Sequence, residues 1–305
     1  MALPTDMQPL IVILGTNASG KSDLGIRLAR HFNGEIVSAD SRQVYRGLDL
    51  GTGKVTPAQM ALVKHHLIDV ADVSEYYSLA QYQRAAHAAV EAIGSAGKLP
   101  FLVGGTGLYI SALVEGYQLV DVPPNEMLRA QLEELPLPDL VRRLQQIDPD
   151  AAKGIDASNR RRLIRAIEIA AAGHAVSDAP RKSPRYRCLQ FGLTWPRDVL
   201  VRRIEQRLRE RLVNGMIEEV AGLRSRGVSD LRLEKLGLEY RYVARYLRGE
   251  LRDREALFTQ LGIAIRQYAK EQRAWFKRDP SIHWLHPGQD CFQQARERID
   301  KWKLG

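Results

Sequence analysis

The chain has 305 residues, of which 45% are hydrophobic and 27% charged, and its formal net charge is +9. These values are ordinary for a soluble globular protein, and no apolar run approaches the length of a membrane-spanning helix. The first ten residues lack the regions of a secretory signal, and Cys188 and Cys291 fit no metal or redox spacing. We therefore expect a cytoplasmic protein with ordinary thiols and no membrane association.

The charge is unevenly distributed along the chain. Residues 1–120 are close to neutral, whereas residues 181–280 carry 24 Lys and Arg against 13 Asp and Glu. The basic later part favours a polyanionic partner. An arginine-rich helical surface that faces solvent would explain the charge equally well.

The first 120 residues alternate apolar strands with helical stretches. Strands are predicted at 10–14, 35–40, 65–69 and 99–103, and helices at 22–32 and 79–97. Strands that alternate with helices predict an α/β fold with a parallel, doubly wound sheet.

After the paired prolines at 123 and 124, the pattern changes to successive helices. They are predicted at 128–146, 158–172, 198–215, 215–226, 238–248 and 254–276. A connector at 178–187 leads to a segment of strand character, 188–195, which we expect to rejoin the sheet. The predicted organisation is a P-loop core in 1–122, a small helical insertion in 123–187, and a return to the core with a basic helical C-terminal region in 188–305.

The segment "GTNASGKS" has the G-x-x-x-x-G-K-[ST] spacing of a phosphate-binding P-loop. It follows a predicted strand and opens a predicted helix, which is the context that this loop requires. Inward-pointing N–H groups of residues 16–22, the helix dipole and the Lys21 ammonium group would attract phosphate oxygens. The Ser22 hydroxyl suits a Mg²⁺ ion that bridges phosphates. The predicted phosphate-binding residues of the loop are Gly15, Thr16, Asn17, Ala18, Ser19, Gly20, Lys21 and Ser22.

Two further side chains follow predicted strands. Asp40 ends the strand at 35–40, and Thr106 follows the strand at 99–103 through two glycines. Ligands bind at the carboxyl ends of strands in such sheets, so Gly15, Asp40 and Thr106 are expected to converge on one crevice. A nucleotide-hydrolysing motor would normally place an acidic residue where "GGTGLY" stands. A helix cap is the alternative role for Asp40.

Seven segments then occur in a characteristic order: "GTNASGKS", "SADSRQVYRGLDLGTGK", "HHLID", "VGGTGLYISALVEG", "NRRRLIRAIEI", "RDVLVRRIEQR" and "IRQYAKEQRAWF". Together they resemble the tRNA dimethylallyltransferases over nearly the whole chain. The resemblance implies transfer of a five-carbon allylic group from dimethylallyl diphosphate to the exocyclic amine of the adenosine 3′ of the anticodon in tRNA. The P-loop would then hold the diphosphate of the donor, with ATP at best a competitor.

The resemblance also implies roles for individual residues. Lys21, the loop amides and Mg²⁺ at Ser22 would stabilise the departing diphosphate. Thr106 would hydrogen-bond near the scissile oxygen, and Asp40 would receive or orient the proton of the attacking amine. Arg203 and Arg207, one helical turn apart, would bind the diphosphate.

Contacts to the tRNA anticodon stem-loop are expected in two places. The resemblance assigns Asn159, Arg160, Arg161 and Arg162 to tRNA binding, where phosphates are the natural targets. Near the flipped adenosine, tRNA would contact Asp40, Ser41, Arg42, Gln43 and Thr106. A solvated helix face is the alternative for the arginine cluster, and core packing is the better expectation for Tyr240 and Trp275. We expect the enzyme to be a monomer.

The chain departs from the family pattern at two places. The loop begins Gly15-Thr16-Asn17 where the family has Gly-Pro-Thr, and "LGLEYRYVARYLRGE" alters a late Gly-Tyr-[Arg/Lys]-[Glu/Gln] run. Three alternatives stay open: a small-molecule P-loop kinase, an isopentenyltransferase that acts on free adenine nucleotides, and a nucleic-acid-binding ATP sensor without chemistry.

Overall fold

The computed structural model describes residues 7–120, 122–176, 181–286 and 289–304. The chain forms two compact units, one from residues up to 114 and from 185 onward, and the other from residues 115–184. The second unit overlaps the predicted insertion, 123–187. Residue 121, at the predicted boundary, and residues 178–180 of the predicted connector lie outside the described residues.

The larger unit is built on a parallel sheet, which confirms the predicted α/β fold class. The described strands have the order β3-β2-β4-β1-β5-β6. They are β1 (Gln8–Gly15), β2 (Gly34–Ala39), β3 (His65–His66), β4 (Leu99–Gly104), β5 (Tyr186–Leu193) and β6 (His283–Leu285). The strand predicted at 65–69 is shorter than expected, because Leu67 and Asp69 have positive φ angles of 63° and 57° that turn the backbone out of the sheet.

The sheet is buried on both faces, as is usual for parallel sheets. Alternate residues of β1 enter different cores: Leu10, Val12 and Leu14 face one side, and Ile11 and Ile13 the other. This explains why the strand reads as a continuous apolar run. The carboxyl ends of β2, β4 and β1 lie side by side, since Gly104 lies in register with both Leu14 and Ala39.

The helices of the larger unit cover the sheet and extend beyond it. Before the second unit they are α1 (Lys21–His31), α2 (Pro57–Leu62), α3 (Leu79–Ser95) and α4 (Gly107–Val114). After it they are α9 (Arg197–Val213), α10 (Met216–Ser225), α11 (Asp230–Lys235), α12 (Leu238–Leu247), α13 (Arg254–Phe276) and α14 (Cys291–Leu304). Within the described ranges, no helix is both long and apolar enough to cross a membrane.

The smaller unit is helical. Its helices are α5 (Glu126–Glu133), α6 (Leu137–Ile147), α7 (Pro149–Gly154) and α8 (Arg160–Ala171). Their buried residues include Leu132, Leu144 and Leu163, which form a separate apolar core. The single helix predicted at 128–146 is wrong, because the chain breaks between α5 and α6 at Pro136, which has no N–H to continue the helix.

Candidate active site

The P-loop, residues 15–22, joins the end of β1 to the start of α1. Gly20 precedes the helix with a φ of 93°, a left-handed conformation that glycine adopts without strain, and Ala18 also has a positive φ of 59°. Among the described residues, no side chain caps the N-terminus of α1. The first N–H groups of the helix are therefore available to an anion.

Lys21 lies inside this loop. Its Nζ donates to the carbonyl oxygen of Thr16 at 3.3 Å. The pKa of Lys21 is lowered to about 8, chiefly by burial and also by the charges of Arg207 and Arg211, while the charge of Asp40 opposes the shift. An anion bound beside Lys21 would offset the cost of holding this charge away from water.

Two side chains from the later half of the chain hold the P-loop carbonyl groups. Arg203 on α9 donates from Nε to the oxygen of Ala18 at 2.8 Å. Trp195 donates from Nε1 to the oxygen of Ser19 at 3.0 Å. The guanidinium carbon of Arg203 lies 4.6 Å from the centre of the Trp195 ring. Arg203, which the resemblance predicts to be a diphosphate-binding residue, thus contacts the backbone of the P-loop with its side chain.

Arg207 and Arg211 follow Arg203 on the same face of α9, at intervals of four residues. Arg207 donates to the Gly53 oxygen at 3.2 Å, and Arg211 to the Gly51 oxygen at 3.3 Å. Gly53 has a φ of 58°, and a Cβ there would lie 2.0 Å from Arg211 Nη2 and 2.4 Å from Arg207 Nη2. Glycine at 53 therefore lets both guanidinium groups approach the backbone.

These arginines concentrate positive charge. The pKa of Arg207 is lowered to about 10, chiefly by burial and then by the neighbouring charge of Arg211. The Arg207 guanidinium group still remains charged near neutral pH. Mutual repulsion between Arg207 and Arg211 favours a bound anion.

A cavity of about 630 Å³ opens in front of the P-loop. Basic side chains in its lining are Lys21, Lys54, Arg203, Arg207 and Arg211. Acidic ones are Asp23, Asp49, Asp69 and Glu210. The Lys54 charge is already compensated, since its Nζ contacts Asp49 at 2.6 Å and Asp69 at 2.5 Å. The remaining positive charge at the site comes from Lys21, Arg203, Arg207 and Arg211, of which Arg211 is also paired with Glu239 at 3.1 Å.

Asp40 and Thr106 lie at the adjoining strand ends but are not among the residues that line this cavity. Asp40 Oδ1 accepts the N–H of Arg42 at 2.9 Å. Thr106 Oγ1 accepts the N–H of Ser41 at 3.0 Å, and the Thr106 N–H donates to the Ala39 oxygen at 3.1 Å. The structure thus joins the two strand-end segments directly. Gln43 Nε2 donates to the oxygen of Gly53, a residue that lines the cavity, at 3.4 Å.

Gln272 on α13, for which the sequence predicts no role, contacts two segments of the site. Its Oε1 accepts the N–H of Asn17 at 2.9 Å, and its Nε2 donates to the Gly105 oxygen at 2.8 Å. The Asn17 amide is therefore used inside the protein, and the Ser19 amide donates to the Thr16 oxygen at 3.3 Å. This differs from the expectation that all N–H groups of residues 16–22 face a phosphate.

The predicted tRNA-binding cluster lies in the smaller unit, at the start of α8. Asn159 caps the helix by accepting the Arg162 N–H at 3.2 Å. Arg160 donates to the carbonyl oxygens of three residues at the end of α5, at 3.3, 3.0 and 2.7 Å. Arg161 and Arg162 are exposed. Asn159 and Arg160 thus have structural contacts of their own, while the two exposed arginines are accessible to a polyanion.

The late aromatic residues are packed, as the sequence reading favoured. Tyr240 is buried and donates from its hydroxyl to Glu219 Oε1 at 2.7 Å. Trp275 lies against Gly107 and donates from Nε1 to Ser111 Oγ at 3.4 Å. Among the described residues, no group of three His, Cys, Asp or Glu side chains is placed to hold a metal ion.

Comparisons with known proteins agree with this geometry. The family model described as IPP transferase matches residues 43–279. The chain belongs to the IPP transferase family. The tRNA dimethylallyltransferase 2 of Shewanella sediminis (strain HAW-EB3) is 45% identical over 292 residues, which cover 94% of this chain and 96% of that protein.

Solved structures of the IPP transferase family have the same fold. The full-length tRNA isopentenylpyrophosphate transferase of Bacillus halodurans is 36% identical, with a TM-score of 0.72 over 97% of this chain and 96% of that one. A eukaryotic dimethylallyltransferase described as acting on tRNA is 25% identical, with a TM-score of 0.77 over 92% and 74% of the two chains. The predicted resemblance, the P-loop fold family and the predicted transferase class are confirmed.

Proposed function

We propose that the protein transfers a dimethylallyl group from dimethylallyl diphosphate to the exocyclic amine of the adenosine 3′ of the anticodon in tRNA. One observation carries the proposal. The cavity in front of the P-loop brings Lys21, Arg203, Arg207 and Arg211 close to the uncapped N-terminus of α1, and Asp40 and Thr106 lie at the adjoining strand ends. This arrangement suits an anionic leaving group beside a proton acceptor.

Most of the catalysis consists of stabilising the diphosphate as it leaves. The amine nitrogen attacks the allylic carbon as the carbon–oxygen bond breaks, and the bonding electron pair leaves with the diphosphate. Lys21, Arg207 and Arg211 stabilise the charge that develops on this oxygen, because they are fixed in a partly buried site. One amine proton passes to the carboxylate of Asp40 and from there to water.

Mg²⁺ fits the residues present at the P-loop. Ser22 lies in the first turn of α1 and lines the cavity, where its hydroxyl would join phosphate oxygens as a ligand. A site built largely from donor phosphates needs no cluster of protein carboxylates, and Mg²⁺ usually binds in this way beside phosphate groups. When bound, the ion would neutralise charge on the diphosphate.

The tRNA would be held by two sets of residues. The exposed Arg161 and Arg162 would contact phosphates, which position the tRNA without reading its sequence. Ser41 and Arg42, next to Asp40, would contact the flipped adenosine and its neighbours. We propose that the enzyme works in the cytoplasm as a monomer.

The experiment follows the labelled allylic group. The protein is incubated with Mg²⁺ and labelled dimethylallyl diphosphate, together with tRNA, AMP, or ATP plus adenosine. Label in tRNA without added ATP supports the proposal, and Lys21→Ala is expected to abolish it. Label in AMP would favour the transferase for free nucleotides, and ADP release without transfer of label would favour a kinase.

A further inference from the structure

Gln272 is buried between two segments of the candidate active site. It is 6% exposed, and both ends of its carboxamide are used, one towards Asn17 and the other towards Gly105. The direction of this amide is determined by its partners, because Asn17 offers an N–H and Gly105 a carbonyl oxygen. Neither a carboxylate nor an aliphatic side chain satisfies both.

The two segments that Gln272 joins carry different parts of the proposed chemistry. Asn17 belongs to the P-loop, whereas Gly105 immediately precedes Thr106. A Cβ on Gly105 would lie 2.7 Å from Gln272 Nε2, 3.2 Å from the Gly15 oxygen and 3.4 Å from Lys21 Cε. The Gln272 carboxamide, the Gly15 carbonyl group and the Lys21 side chain therefore all lie close to Gly105.

Other contacts of α13 do not depend on Gln272. Leu261, Ile265 and Ala269 are buried in the apolar core around α9 to α13, and Phe276 in the core beneath α3. Trp275 is held by Gly107 and Ser111. The helix is thus anchored on both sides of Gln272, so loss of the carboxamide should leave the fold in place.

We propose that Gln272 is a positioning residue that sets the distance between the P-loop and Thr106, and so prepares the diphosphate site before the donor binds. This inference rests on the proposed function for the identity of the donor. It accounts for the Asn17 N–H, which is directed to Gln272 rather than to a phosphate. With the loop conformation held by protein, the other N–H groups need not reorganise on binding.

The test uses Gln272→Met in the full chain, with Gln267→Met as the matched control. Gln267 lies on the same helix but is exposed, and it donates to Glu271 at 3.1 Å. We expect Gln272→Met to keep its melting temperature within a few degrees of wild type and to bind inorganic diphosphate about 5- to 100-fold more weakly, as for two buried polar groups left without partners. Its KM for dimethylallyl diphosphate should rise and its kcat fall, with the KM for tRNA unchanged.

A second variant separates positioning from general destabilisation. Gln272→Glu can accept from Asn17 in either protonation state, but it can donate to Gly105 only when protonated. Its deficit in diphosphate binding relative to wild type is therefore expected to shrink as the pH is lowered from 8 to 6, whereas that of Gln272→Met stays constant. This arm also applies if Gln272→Met does not fold.

Wild-type affinity for diphosphate at pH 8 in either folded variant, or a Gln272→Glu deficit independent of pH, would overturn the inference. Diphosphate binding is measured without tRNA or donor. A wild-type protein that fails to transfer the allylic group would therefore contradict the proposed function and leave this inference to be judged by the binding data.

Discussion

Arg211 and Glu239 form a partly buried ion pair beside the P-loop. The distance from Arg211 Nη1 to Glu239 Oε1 is 3.1 Å, and each side chain is 14% exposed. Burial raises the pKa of Glu239, and the charge of Arg211 opposes that shift. Glu239 thus compensates the charge of Arg211.

Glu239→Gln removes this compensation and leaves the Arg211 charge without its partner. We expect the free energy of unfolding to fall by about 1–3 kcal/mol, because the Arg211 charge loses its partner. The loss is limited, since Gln still offers Arg211 a hydrogen-bond acceptor. Inorganic diphosphate should restore part of this loss, since it supplies the missing negative charge. Urea denaturation with and without diphosphate measures both effects.

The control for this variant is Arg202→Gln on α9. Its ion pair with Asp198 joins side chains that are 69% and 67% exposed, so its loss should change stability by less than about 0.5 kcal/mol. Equal effects of the two substitutions, or no recovery of Glu239→Gln with diphosphate, would contradict the role given to Glu239.

The lowered pKa of Lys21 predicts that the stability of the protein depends on pH. The Lys21 pKa falls from 10.5 in the unfolded chain to about 8 in the folded protein. Between these values the unfolded chain binds more protons, so stability rises with pH in this window. Relative to Lys21→Met, wild type should become more stable as the pH increases from 8 to 10.5, as measured by urea midpoints of both proteins.

Lys153→Met is the control for that series. A hydrogen bond to Asp150 raises the pKa of Lys153. Its contribution is fully present below the unfolded value and is lost only above it, so wild type should not gain on this variant between pH 8 and 10.5. If wild type gains no stability relative to Lys21→Met between pH 8 and 10.5, or loses stability, then Lys21 is not desolvated in the folded protein.

Asp40→Asn tests the proton acceptor. Asn keeps an oxygen for the Arg42 N–H, so the strand end should retain its conformation. Single-turnover transfer should slow by roughly 100-fold or more, as is typical for loss of a general base, with donor and tRNA binding unchanged. Asp72→Asn is the matched control, because Asp72 accepts the Ser74 N–H at 2.9 Å in the same local geometry. An undiminished rate would remove Asp40 from the mechanism.

The arginine cluster of α8 should divide into two functions. Arg161→Ala with Arg162→Ala should weaken tRNA binding and reduce its logarithmic salt slope by about one for each lost phosphate contact. Arg160→Ala should instead destabilise the protein, because it removes three bonds to the end of α5. Titrations of tRNA at several salt concentrations check the first effect and thermal melts the second.

Arg30→Ala is the control for tRNA binding. Arg30 is exposed in the last turn of α1, at the end of the helix away from the P-loop. An unchanged salt slope in the Arg161/Arg162 variant would mean that these side chains face solvent rather than tRNA.

The long, periodic elements of this fold are predictable from the sequence. The helices predicted at 79–97 and 254–276 correspond to α3 and α13, since an apolar stripe and a capping residue are local signals. The short helices α2, α7 and α11 cannot be predicted in this way. Six residues show too little periodicity, and their stability comes from caps such as Thr56 and from tertiary contacts.

By itself, the sequence determined the P-loop. Its backbone path depends on Gly20 and on a strand and a helix that adjoin it, and all of these are local. Only the tertiary structure placed Gln272 against Asn17, 255 residues away, and Arg211 against Glu239. The sequence pattern around a glutamine or an arginine on a helix is the same whether the side chain faces solvent or a buried loop. The packing of the helix determines whether that side chain is exposed or buried. This packing depends on contacts between residues that are distant in the chain.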